Sequence, residues 1–164
     1  MAKNEFTLDV AKFAAQFEDG AEQAIRGTTI KLWSGVIAGT PVDGGRTRGN
    51  WFATGAAPSS RINYSAKDLS NDGEATAKRA EKVVLGLKDW STFTLTNNYP
   101  SAVTLEYGGY PDPVKKGTYN KRTKTYEKRS KSGYSKQAPN GMVRVNIARF
   151  NRLLELEARK RLPK

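Results

Sequence analysis

Seven residues fix the first element of this chain. Phe13, Phe17, Ala21, Ile25, Thr28, Leu32 and Val36 recur at spacings of three and four. Apolar positions at that period form one face of an amphipathic helix and fit no strand. Asp9 is the expected N-cap, so the spacing predicts a helix from about 9 to 38. Gly20 weakens its middle and is a candidate break. Gly39 and Pro41 follow in the order that ends helices. A helix of about 30 residues must lay its apolar face on something, and the remaining sequence has to supply that surface.

The supply is mixed. "WFATGAAPSSRINYS" reads as a short strand followed by loop, and "NDGEATAKRAEKVVLGL" as a second helix with Ala77, Ala80, Val84 and Leu87 inward. "WSTFTLTNN" alternates, placing Phe93 and Leu95 on one face and threonines on the other, as a half-buried strand does. "YPSAVTLEYGG" predicts a turn and one or two helical turns closed by Gly108. "APNGMVRVNIARFNRLLELEARKRLPK" resumes helical spacing at Val143, Ile147, Phe150 and Leu154, with a basic last turn that suits the helix dipole. No internal repeat is visible. The expectation is one α+β domain over 1–164, with the long N-terminal helix on a small, mostly antiparallel sheet. A second helix, a long basic loop or hairpin and a C-terminal helix complete it.

Residues 110–136 differ in kind, with nine Lys or Arg against two acids, four tyrosines and almost no aliphatic side chains. Such a segment buries too little surface to offset its own ordering entropy, so it reads as a long loop or a projecting hairpin. Across all 164 residues, 28 Lys and Arg face 16 acids, a net charge of +12. That surplus attracts polyanions or an acidic protein surface. Lys115, Lys116, Lys121, Arg122, Lys124, Lys128, Arg129 and Lys131, interleaved with tyrosines, are the candidate contacts. Phosphate binding with stacking, docking on a neighbouring subunit, and a solvated loop all remain open. No base-reading motif accompanies them, so any DNA contact is expected to ignore sequence.

The chemistry available is narrow. The chain has neither histidine nor cysteine, which removes the commonest general base, the commonest transition-metal ligand and all thiol chemistry. No run of about 18 apolar residues marks a membrane helix, and "MAKNEFTLDV" lacks the apolar core of a secretory signal. Gly44 and Gly49 have the separation of a phosphate-binding P-loop. Asn50-Trp51 stand where that loop needs Lys followed by Ser or Thr, and a helix precedes it instead of a strand. Glu18 and Asp19 read as helix surface, and Glu155 and Glu157 point to different helix faces. Asp43, the one carboxylate among glycines and arginines, reads as a turn residue.

"GTPVDGGRTRGNW" (39–51) is therefore expected to be a helix-to-strand junction. Pro41 stops the helix, Gly44 and Gly45 reverse the chain, and Asp43 holds the turn through backbone N–H groups, helped by Arg46 or Arg48. Alternation from Arg46 places Arg46, Arg48 and Asn50 on one strand face and Thr47, Gly49 and Trp51 on the other. Trp51 anchors the core, and Gly49 admits the helix closely. The arginine face is left for solvent, a lumen or a carboxylate such as Glu106, so replacing both arginines is expected to leave the monomer folded.

Three segments in order, "TPVDGGRTRGNW", "NNYPSAVTLEYGG" and "SKQAPNGMVR" before a C-terminal helix, resemble the tail-component and tail-completion proteins of tailed bacteriophages. Asp43, Gly45, Arg46, Arg48, Trp51, Glu106, Tyr107 and Gly108 occupy the motif positions. Family members usually read Val-Asp-Thr-Gly where Val42-Asp43-Gly44-Gly45 stands, and Thr where Gly109 stands; both changes loosen turns. Residues 110–136 resemble a family-variable insertion. The resemblance implies an α+β subunit repeated as a ring of six around the DNA passage at the head–tail junction of the virion. Such a subunit is assembled in the host cytoplasm, uses no cofactor or metal, and catalyses nothing. Its implied partners are copies of itself, neighbouring neck or connector and tail-tube proteins, and packaged double-stranded DNA, with no membrane. Tail terminator, connector-side adaptor or stopper, and a free sequence-nonspecific nucleic-acid-binding module are the functions left open.

Overall fold

The computed structural model describes residues 2–109, 118–120, 124–127 and 133–163. Its spine is α1 (Ala2–Ala38), followed by a short α2 (Arg46–Gly49), β1 (Phe52–Thr54), a 3-10 turn (Asn71–Gly73) and α3 (Glu74–Gly86). β2 (Thr94–Thr96), α4 (Ser101–Tyr107), β3 (Thr118–Asn120), β4 (Thr125–Glu127), α5 (Arg144–Ile147) and α6 (Phe150–Arg161) complete the order. The architecture is α+β, with a long N-terminal helix, a small antiparallel sheet and further helices.

β1 pairs antiparallel with β2 in the register Phe52 to Thr96, Ala53 to Leu95 and Thr54 to Thr94. The core gathers where the C-terminal half of α1 meets this pair, α3 and α4. Trp33, Val36, Ile37, Trp51, Ala80, Val84, Ala102, Leu105 and Met142 form one buried cluster. Phe93 meets Trp33 edge-on at 6.4 Å between ring centres, a favourable aromatic geometry. Two arginines tie helix and strand ends to this centre. Arg26 of α1 donates to the carbonyls of Val84 and Leu87 at the end of α3, where the helix dipole favours a cation. Arg79 of α3 donates to the carbonyls of Gly49 and Trp51.

A second seam joins α1 to α5 and α6. A Cβ at Gly20 would lie 2.5 Å from the Arg161 carbonyl oxygen, one at Gly27 2.6 Å from the Glu157 carboxylate, and one at Gly35 2.2 Å from the Asn146 side-chain oxygen. These three glycines, about two helical turns apart, line one groove of α1 that receives the C-terminal helices. Gly20 is therefore a packing position, and α1 runs through it unbroken. Within the seam, Glu157 is 2% exposed and pairs with Lys31, Lys160 and Arg161. Its hydrogen bond with Lys31, opposed by burial and reinforced by Arg161 and Lys160, holds its carboxyl down to about 2.

Several expectations are corrected. α1 begins before Asp9, which is not its cap. Val10, Phe13 and Phe17 are about half exposed, because α6 ends against Gly20 and no described element lies beside residues 10–19. The C-terminal helix is two helices. Asn146 turns its amide back onto the Met142 carbonyl, a local bond that competes with helix continuation, and Ile147 and Phe150 are exposed.

Candidate assembly site

Gly45 controls the first motif. Its φ of 72° lies in the left-handed region, and a Cβ there would stand 2.7 Å from the Asp68 carbonyl oxygen. Only glycine meets both demands without strain. Its own carbonyl accepts from the N–H groups of Asp68 and Gly49, both at 2.9 Å, so the chain enters a helical turn at Arg46. The strand expected from Arg46 onward begins only at Phe52. Asn50 is fully buried and staples the following loop, donating to the Asn63 carbonyl and accepting from the Asn63 N–H.

The helical turn separates the two arginines. Arg46 is exposed, and its guanidinium has no partner among the described residues, while its carbonyl accepts from the Asn50 amide. Arg48 turns inward and donates to the carbonyls of Ala38, Thr40 and Ser70. It thereby satisfies carbonyls at the end of α1 that have no helical partner. Burial draws its pKa below the ordinary guanidinium value, while Asp68 and Asp72 pull it upward. Asp43, expected to hold the turn, is exposed, and none of the turn's hydrogen bonds runs to it. The Asp68 carboxylate instead holds its own loop to the start of α3, accepting from the N–H groups of Ser70 and Thr76, while the Asp68 N–H donates to the Gly45 carbonyl. Gly49 admits the backbone of Ala66 and Lys67 at 3.1 Å from a would-be Cβ, rather than α1. Trp51 is 5% exposed in the core.

The geometry gives different outcomes for the two arginines. Arg48→Ala should lower unfolding free energy by about 1.5–3 kcal/mol, because three carbonyls lose a charged donor. Arg46→Ala should change it by less than about 0.5 kcal/mol. Urea unfolding of the two variants checks this, and equal effects would be inconsistent with the inward placement of Arg48.

The second and third motifs meet at Glu106. This residue is 5% exposed, and its carboxylate accepts from the N–H groups of Met142 and Val143 at 2.7 Å and Arg144 at 3.0 Å. The Arg144 guanidinium adds a bond at 3.1 Å. Burial pushes the Glu106 carboxyl upward, but the three backbone donors and Arg144 outweigh it and hold it below the usual range. Glu106 therefore does not receive the arginines of the first motif; Arg144 was the missed partner. Tyr107 is exposed with the Arg144 guanidinium 5.5 Å from its ring centre. Gly108, at φ 78°, closes α4.

Further bonds weld the three motifs. Thr47 and Ser101 share a hydroxyl hydrogen bond of 2.6 Å, Asn97 donates to the Thr47 carbonyl, and the Val42 N–H donates to Gln137. Between them lies a cleft of about 580 Å³ whose walls come from all three segments, including Asp43, Arg46, Tyr99, Ser101 and Gln137. Among the described residues no group of three acids could hold a metal ion, and no described helix is long and apolar enough to cross a membrane.

The basic segment contains a hairpin. β3 and β4 pair antiparallel with Tyr119 opposite Tyr126, and the one candidate contact described there, Lys124, is exposed at φ 54°. Lys115, Lys116, Lys121, Arg122, Lys128, Arg129 and Lys131 lie outside the described residues.

Comparison with protein-family models, with curated proteins and with solved structures finds no match to this chain.

Proposed function

We infer that this chain is a structural virion subunit of a tailed phage, forming a tail-completion or terminator ring around the DNA passage at the head–tail junction. The observation that carries the reading is the meeting of the three motif segments. Residues between 36 and 95 positions apart in the chain converge around one cleft and are joined by Glu106, Thr47 and Gln137. Segments that resemble one family in order thus form one spatial unit. The half-exposed apolar side chains of α1 add support, since a ring subunit completes its burial against neighbours. Negative-stain images of the purified protein test the reading by showing rings. A virion map with a single copy off the tail axis would overturn it. A connector-side adaptor or stopper would also form rings, and the position of the density along the virion axis separates these roles.

The charge of residues 110–136 supports a contact with DNA in the passage. If this segment contacts six or more phosphates, affinity should fall by on the order of 10³ between about 50 and 200 mM salt, whatever the DNA sequence. Neutral replacement of Lys115, Lys116, Lys121, Arg122, Lys124, Lys128, Arg129 and Lys131 should abolish retention on DNA. Retention unchanged by those replacements assigns the segment to a protein contact.

A further inference from the structure

The first half of α1 is a helix with nothing described beside it. Residues 10–19 are all exposed, and Val10, Phe13 and Phe17 follow at i, i+3 and i+7, a single stripe. Gly20, against the Arg161 carbonyl, marks the end of the body. Residues 2–19 also invert the charge of the chain, with four acids against two lysines while the remainder carries 26 bases against 12 acids. An acidic, apolar arm is a poor ligand for nucleic acid. It calls for a basic groove with an apolar floor.

A groove with an apolar floor lies at the opposite end of α1. Its own cation, Arg144, is paired with Glu106, and the positive charge near it comes from Arg149 and Arg152 beside it in the chain. A shallow cleft of about 510 Å³ is lined by Tyr134, Pro139, Asn140, Arg144, Val145 and Ala148. The Arg144 guanidinium lies over the Tyr134 ring at 5.7 Å. Val145 is exposed in the groove, Ile147 and Phe150 are exposed beside it in the chain, and Arg149 and Arg152 are exposed with no described ion pair.

We propose that the α1 arm of one copy docks, through Val10, Phe13 and Phe17, in the Tyr134–Arg144–Val145–Ala148 groove of the next copy. The arm cannot reach its own groove. Asn146 packs on Gly35, 21 residues along a continuous helix from Ala14, or roughly 32 Å at 1.5 Å per residue. Arm and groove are different surfaces at opposite ends, so the contact is heterologous and repeats from copy to copy, as ring closure requires. Opposite charge on the two surfaces fixes orientation and disfavours arm-to-arm pairing. The inference names the subunit contact of the proposed ring and rests on that reading.

The chain has no cysteine, so engineered pairs report without background. Ala14→Cys and Ala148→Cys are placed on exposed residues of arm and groove. A disulfide needs Cα atoms within about 7 Å, so an A14C–A148C bond must join two copies. Mild oxidation of the mixed single variants should give a heterodimer on non-reducing gels, and the double variant should give a ladder ending in a closed band. Cross-linking of A14C on its own, undiminished when A148C is added, would overturn the proposal in favour of arm-to-arm pairing. Rings in negative stain without a mixed cross-link would overturn this contact and leave the ring standing; monomers with no cross-link would remove both. As a second measurement, Phe13→Ser with Phe17→Ser should raise the concentration needed for assembly at least about tenfold with the monomer's melting temperature unchanged. Assembly at the original concentration would overturn it.

Discussion

Trp51→Ala is expected to lower the unfolding free energy by about 3–5 kcal/mol. The indole is 5% exposed within the cluster of Trp33, Val36, Ile37 and Leu105, and its N–H donates to the Thr40 hydroxyl at 2.8 Å. Thr40 in turn donates to the Val36 carbonyl in the last turn of α1. One side chain thus fills the space under the long helix and ties down its end. Truncation leaves a large void and removes a buried donor together. A typical domain is stable by only about 5–15 kcal/mol, so the variant stands near the margin, with its melting point lowered by roughly 6–20 °C. Trp51→Phe keeps most of the volume and loses only the donor, and should cost about 1–2 kcal/mol. Thermal and urea unfolding of both variants checks the pair. A loss below about 1 kcal/mol for the alanine variant would place the ring outside the core.

Periodicity made the inner half of this fold legible. Thr28 and Val36 on α1, Ala80 and Val84 on α3, and the alternation around Leu95 follow directly from spacing, because each faces the core. The same spacing also selected Phe13 and Phe17, which are exposed. A helical stripe records a face and carries no information about what covers it. Gly20 reads as a weak point for a related reason. Gly20, Gly27 and Gly35 sit about two turns apart, a pattern visible in the sequence, yet propensity speaks only of the weakened helix and not of the partner it admits. The first motif failed by period. Five residues, Arg-Thr-Arg-Gly-Asn, are too few to separate a strand from a helical turn, and the left-handed Gly45 decided for the turn. The inward placement of Arg48 and the part played by Asp68 are not legible in the sequence, because their partners are mainly backbone carbonyls and N–H groups, which leave no residue signature.

Glu106 bonds to the 142–144 turn and to the Arg144 guanidinium rather than to Arg46 or Arg48, and its replacement should have the second large effect. Its carboxylate is the acceptor for three successive N–H groups, those of Met142, Val143 and Arg144. A Cβ at Gly141, which sits at φ 79°, would come within 2.8 Å of that carboxylate, so no side chain on the turn can stand in for it. Glu106→Ala leaves three donors without an acceptor, at least one of them buried. At about 1–3 kcal/mol for an orphaned buried group and similar values for each lost charged bond, a total of about 3–5 kcal/mol is expected. Glu106→Gln keeps the shape and one acceptor oxygen and should retain about half of that. Acid provides an independent check with a definite sign. The folded-state pKa of Glu106 is depressed, and that of Glu157 falls to about 2 from an ordinary 4.5. Their contributions are therefore present in full above about pH 4.5 and drain away as pH falls toward 2. The cations around Glu157 are largely exposed, so solvent screening reduces its share. In the wild-type chain, urea midpoints should fall steadily from pH 5 to pH 2. In Glu106→Gln the fall should be shallower, because the amide does not titrate. Identical slopes would mean that Glu106 does not hold the 142–144 turn as an anion, and the joint between the second and third motifs would have to rest on Arg144 alone.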